Sequence, residues 1–211
     1  MEKMQKKDQA APKFIVFEGI DGSGKTTISK QLLNFLKKDN QKVLWLREPS
    51  DSKWGKKIRE LAHQTESIPL EEELYYFIED RKNNVQQNII PALQQSKTVI
   101  LDRYFFSTAC YQGARGLNMF QILAVNRQFA PEPDITFIID VDVDTALTRI
   151  KKSRDTEALL FEKKEFLLKV RANYHKLKGE KNIHIIDGTA DVNTVFKRVK
   201  EIILNYNQLD A

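Results

Sequence analysis

A chain of 211 residues with 41% hydrophobic and 30% charged side chains, 8 glycines and 6 prolines has the composition of one globular domain, which excludes a disordered, collagen-like or low-complexity protein. A single cysteine, Cys110, excludes an internal disulfide and a cysteine-based zinc site, and three scattered histidines offer no metal-ligand spacing. The 34 basic residues against 29 acidic ones give a net charge of +5, modest for a nucleic-acid binder and equally able to steer a small polyanion, so the position of the charges must decide.

In chain order, residues 1–12 (MEKMQKKDQAAP) carry lysines without an apolar stretch and read as a solvated tail, not a secretory signal. Lys13–Gly19 (KFIVFEG) is a β-rich run, and after a glycine cluster Ile28, Leu32, Leu33, Phe35 and Leu36 fall at helical spacing: strand, loop, helix. Val43–Leu46 reads as a second strand. Leu74, Phe77, Ile78, Val85, Ile89 and Leu93 mark a long helix that Pro91 should break or kink near its end. Thr98–Leu101, Asp134–Asp140 and Ile183–Ile186 complete the strands, the second of these following the turn-like Pro131-Glu132-Pro133. Every apolar run is short beside the roughly 20 residues that cross a bilayer, so the expectation is a chain without membrane contact that stays in the cytoplasm. Strands alternating with helical segments require crossovers, hence a parallel sheet covered on both faces. The expected class is α/β, doubly wound, with residues 13–211 forming one domain without repeats or linkers.

Gly19-Ile20-Asp21-Gly22-Ser23-Gly24-Lys25-Thr26 fits G-x-x-x-x-G-K-[ST] where a strand ends and a helix begins, the setting that gives the pattern its meaning. Gly22 and Gly24 let successive N–H groups turn toward phosphate oxygens, Lys25 neutralises the β- and γ-phosphates, and the Thr26 hydroxyl reaches Mg²⁺. The nucleoside triphosphate run thus spans Gly19 to Thr27. A glycine turn that merely precedes Lys-Thr is the bland alternative. No guanine-reading Asn-Lys-x-Asp occurs and the chain is short for a large ATPase, which leaves a small-molecule kinase.

The third strand runs into Asp102 and Arg103, and the carboxyl ends of parallel strands line the ligand crevice. Asp102 could hold a magnesium-bound water or orient the acceptor, while the Arg103 guanidinium could span two phosphates; a surface ion pair is the alternative. Asp140, ending the fourth strand, competes for the magnesium role. Arg47, ending the second strand, suits an acceptor phosphate or is simply solvated. Phe77 and Arg81 share a helix face, so one could stack on a base that the other hydrogen-bonds, although core packing would equally explain Phe77.

FEGIDGSGKTT, REP, FIEDR, LDRYFFSTACYQG and FEKKEFLLKVRANY occur in the order and approximate spacing of thymidylate kinases, and the chain resembles that family from Lys13 to its C-terminus. The resemblance implies a P-loop nucleoside monophosphate kinase fold with a five-stranded sheet, a homodimer, and transfer of the ATP γ-phosphoryl group to dTMP with Mg²⁺, giving dTDP and ADP for dTTP biosynthesis. It also implies that Asp21 receives the sugar 3′-hydroxyl, Arg47 the acceptor phosphate, Phe77 the base face and Arg81 the thymine edge. Asp102 and Arg103 match the family's pair at the phosphates, Ser107 and Gln112 its base-side polar groups, and Tyr111 the ring that crowds a ribose 2′-hydroxyl. Two stretches depart from the pattern: Ser50-Asp51-Ser52 stands where glycines usually follow Arg-Glu-Pro, and Ala158-Leu159-Leu160 where an arginine usually precedes Phe161-Glu162. With no arginine from Ile20 to Ser23 either, the transition-state cation is expected from a lid around 149–160, from Arg149 or Arg154 with Lys151 and Lys152, unless that run is a solvated helix end. The competing functions are a deoxynucleoside kinase or another nucleoside monophosphate kinase, and a catalytically weak nucleotide-binding regulator; a nucleic-acid partner is not expected.

Overall fold

Five short runs rich in Ile, Val, Leu and Phe form one parallel sheet: Phe14–Glu18 (β1), Val43–Arg47 (β2), Thr98–Asp102 (β3), Ile135–Asp140 (β4) and Ile183–Asp187 (β5), each within two residues of the range read from sequence. A computed structural model of the chain describes residues 13–39, 41–62, 68–151, 157–180 and 182–206, with the side chains of 151 and 157–162 outside that description. Strand order is β2-β3-β1-β4-β5, and every neighbouring pair is parallel. β1 and β3 are buried at all positions, as strands covered by helices on both faces must be.

The two-residue strand period sorts the core into two layers. Phe14 and Val16 of β1, with Val99 and Leu101 of β3, pack toward α5 (Phe105–Ala114), α6 (Met119–Arg127) and α8 (Glu157–His175). Ile15, Phe17 and Ile100 pack instead toward α1 (Lys25–Lys38) and α9 (Val192–Leu204), through Ile28, Leu32, Val195 and Val199. The remaining helices are α2 (Lys53–Leu61), α3 (Leu70–Asn84), α4 (Ile90–Gln94) and α7 (Val143–Lys151).

Pro91 does perturb the long helix, one turn ahead of itself. α3 passes through a π-helical turn, Val85–Ile89, before continuing as α4 with the proline in its first turn. Pro91 has no N–H to offer the carbonyl of Gln87 and its ring collides with it, so the preceding turn widens instead of breaking.

The glycine loop leaves β1 under β4 and α7. Gly19 and Gly22 have positive φ of 137° and 80°, and an added Cβ would lie 2.5 Å from the Ile139 carbonyl oxygen and 2.4 Å from that of Ala146. Only glycine fits either position.

Candidate nucleotide site

Gly24, in the left-handed region with φ 95°, caps α1 without any side-chain hydrogen bond. Its first-turn N–H groups are therefore available to an anion. Lys25 is buried, and its Nζ donates to the Ile20 carbonyl at 3.3 Å. Burial lowers its pKa and nearby Arg103 lowers it further; Asp21, Asp102 and Glu18 restore part, leaving it at about 8.

The Thr26 hydroxyl donates to Asp102 Oδ2 at 2.5 Å, while Asp102 Oδ1 is buried without a hydrogen-bond partner among the described residues. An unpartnered buried carboxylate oxygen beside a hydroxyl is a hard-oxygen set that fits Mg²⁺ or its bound water. No group of three or more His, Cys, Asp or Glu side chains that could hold a metal exists among the described residues. Asp140 is a different case: both oxygens receive Arg171 at 2.7 Å, and His175 Nε2 lies 3.2 Å away. Its carboxylate is tied to α8 by that ion pair, which leaves Asp102, beside Thr26, as the better-placed candidate for Mg²⁺.

Beside the P-loop lies a cavity of about 510 Å³ whose lining includes Asp21, Phe77, Arg81, Arg103, Tyr111 and Gln112. Arg103 leaves β3 with φ 71° and donates through Nη2 to Asp21 Oδ1 at 2.6 Å and through Nη1 to Ser107 Oγ at 2.9 Å. The Tyr111 hydroxyl accepts from Arg103 Nη2 (3.2 Å) and the Asp21 amide (3.0 Å). Desolvation pushes the Asp21 pKa up, but the charges of Arg103 and Lys25 outweigh it and bring it to about 2. Phe77 is partly exposed on the cavity wall, and buried Gln112 donates from Nε2 to Glu73 Oε1 at 3.2 Å.

Arg81 is fully buried and held on three sides, by Glu48 Oε2 (2.9 Å from Nε), Asn126 Oδ1 (2.7 Å from Nη1) and Thr108 Oγ1 (2.9 Å from Nη2). Burial raises the Glu48 pKa, and the Arg81 charge opposes that. Glu48, Asn126 and Thr108 were not singled out from sequence. The one signal for them was that a buried guanidinium must find acceptors.

Arg47 is not among the residues brought together there. Its side chain is exposed and borders a separate cleft with Pro49, Ser50 and Arg59. Leu44 and Leu46 pack in the layer that holds the cavity, Val43 and Trp45 in the opposite one, so alternation assigns Arg47 to the α1 side. The Ser50-Asp51-Ser52 departure also has a structure. Asp80 accepts from the Ser50 amide (2.7 Å), Ser50 Oγ (2.5 Å) and Ser52 Oγ (2.6 Å), while Ser52 caps α2 by accepting from Trp54 and Gly55 amides, both at 3.1 Å.

Arg149 lies against the P-loop, donating from Nη1 to the Ser23 carbonyl (3.3 Å) and from Nη2 to that of Gly188 (3.0 Å). Lys152 and Arg154 lie outside the described residues.

A family model described as thymidylate kinase matches residues 17–199. A relative from Archaeoglobus fulgidus, described as a probable thymidylate kinase, is 39% identical over 195 residues, covering 92% of this chain and 96% of its own. A thymidylate kinase of Desulfotalea psychrophila is 41% identical over 165 residues, covering 78% and 81%. The solved structure of a thymidylate kinase from Ehrlichia chaffeensis superposes with a TM-score of 0.75 at 32% identity, covering 92% of this chain and all of that one.

Proposed function

Because the chain belongs to the thymidylate kinase family, we infer that it phosphorylates dTMP to dTDP, with ATP as the donor and Mg²⁺ as the accompanying cation. The observation that carries the reading is the junction of β3 with α5, where consecutive residues serve two sites. Asp102 turns to Thr26 on the P-loop and Arg103 to Asp21 in the cavity.

In this reading the ATP phosphates lie on the amides of the P-loop, and Lys25 regains its full charge against them. Bound through Thr26 and Asp102, Mg²⁺ would neutralise charge on the phosphates. Arg103 reaches the acceptor phosphate and follows the charge that develops on the transferring group. Asp21 takes the sugar 3′-hydroxyl, Phe77 stacks on the thymine, Arg81 reads its edge, Gln112 lies on the base side, and Tyr111 crowds a 2′-hydroxyl. Ser107 acts at one remove, since its hydroxyl is held by Arg103, Glu18 and Tyr174. Arg149, with the run around 149–160, supplies positive charge at the donor end.

Trp54 of α2 meets Tyr75 and Tyr76 of α3 with ring centroids 5.8 and 5.9 Å apart, and Tyr75 is half exposed. Such an aromatic surface supports a homodimer through α2 and α3. No described helix is long and apolar enough to cross a membrane, and the proposed place of action is the cytoplasm, with dTMP.

ADP release measured against dTMP, dUMP, UMP, CMP and thymidine tests this reading. Turnover is expected to be highest with dTMP. Equal turnover of UMP would remove the specificity assignment, and faster turnover of thymidine would make the protein a nucleoside kinase.

A further inference from the structure

Arg103 is a non-glycine residue in the left-handed region, with φ 71°. Such a backbone is strained and persists where its surroundings over-determine it. The helix that follows, α5, has no side-chain cap of its own at Tyr104. The cap comes from another strand: Glu18, the last residue of β1, accepts from the Tyr104 amide (2.8 Å) and the Ser107 amide (3.1 Å) through Oε1. Its Oε2 accepts from the Ser107 hydroxyl and, at 2.9 Å, from the Tyr174 hydroxyl of α8. With its own proton directed at Glu18, Ser107 Oγ is left as an acceptor, and the N–H it accepts is Arg103 Nη1, at 2.9 Å. Glu18 is fully buried, as is Tyr174.

We propose that Glu18 is a positioning residue for Arg103: it fixes the turn that carries the arginine and, through Ser107 and Tyr174, the rotation of its guanidinium, which makes α8 part of the acceptor site. The proposal rests on the reading of Arg103 as the phosphate-contacting arginine. Glu18 itself does not line the cavity; it acts from behind two residues that do, Tyr104 and Ser107. In E18Q the amide nitrogen replaces one acceptor oxygen. Ser107 and Tyr174 must then receive a hydrogen bond where they gave one, and the Ser107 proton is turned toward a guanidinium that also donates.

The test is a double-mutant cycle on kcat and on KM for each substrate, with R103A as the second background. Expected is a fall in kcat of about tenfold or more for E18Q and about threefold for Y174F, with KM for ATP within twofold. In the R103A background neither substitution should change kcat by more than twofold. Equal losses in both backgrounds would make Glu18 a residue of general structure and overturn the proposal, as would parental kcat in both E18Q and Y174F. Should E18Q fail to fold, as judged by its thermal transition, the Y174F arm decides alone. An R103A enzyme with parental kcat would overturn the role given to Arg103 instead, which keeps the two failures apart.

Discussion

Replacing Lys25 with methionine should abolish activity and, in the protein without nucleotide, raise stability. The lysine is 6% exposed and its pKa is pushed from 10.5 to about 8. At about 1.4 kcal/mol per pH unit, holding it charged destabilises the fold by about 3 kcal/mol. Lys25→Met removes that cost and forfeits the hydrogen bond to Ile20, worth about 1 kcal/mol. The net gain of about 2 kcal/mol corresponds to roughly 4–8 °C in Tm for a domain of this size. The sign fixes the pH window: a lysine whose folded pKa lies below its unfolded value lowers stability in full below pH 8, and the penalty fades between 8 and 10.5 as the folded state loses its proton first. Thermal unfolding of both proteins at pH 7 and pH 9.5 should therefore show a gap at pH 7 that closes to near zero at pH 9.5. ATP with Mg²⁺ should raise the Tm of the parent more than that of the variant. A methionine variant that melts below the parent at pH 7, or a gap that ignores pH, would refute the reasoning.

Asp102→Asn should lower kcat by about 10²-fold and raise the Mg²⁺ concentration needed for half-maximal rate, read by magnesium titration at saturating nucleotides. Arg149→Ala should raise KM for ATP several-fold while leaving KM for dTMP unchanged, because its contacts are with Ser23 and Gly188 at the P-loop; initial rates against each substrate separate the two. Phe77→Ala should weaken dTMP by about 1–3 kcal/mol, the worth of one base on an aromatic ring, with ATP affinity untouched, as measured by calorimetry.

What could be read in the sequence was local. The P-loop states its own geometry because strand, glycines and helix are contiguous, and five strands declared themselves by apolar runs that a doubly covered sheet requires. Asp102 was legible from its place at a strand end. The acceptors that hold the arginines were not, because they come from far along the chain: Glu48 lies 33 residues from Arg81, and Glu18 lies 89 from Ser107. Each looks in sequence like an ordinary carboxylate near a strand end, and only tertiary packing turns it inward. Asp140 was ambiguous for the same reason, since its partner Arg171 sits 31 residues on. Arg47 is the instructive case. A strand end leads to the expectation that it faces the crevice; the alternation in Val43-Leu44-Trp45-Leu46-Arg47 assigns it to the α1 side of the sheet, where its register partner Asp102 meets Thr26, and its exposed side chain borders the neighbouring cleft.

The adjacency of Asp102 and Arg103 bears on how the enzyme would tolerate its own motion. Their Cα atoms are joined by one peptide unit, about 3.8 Å across, at the inner end of a fully buried strand hydrogen-bonded on both sides. Covalent bonds set the separation of the two Cα atoms, and what remains adjustable is side-chain rotation, which Thr26 restricts for Asp102 and which Ser107 and Asp21 restrict for Arg103. In the proposed function, substitutions in the base-reading helices, loops and surface leave that backbone spacing between the donor-side and acceptor-side residues unchanged.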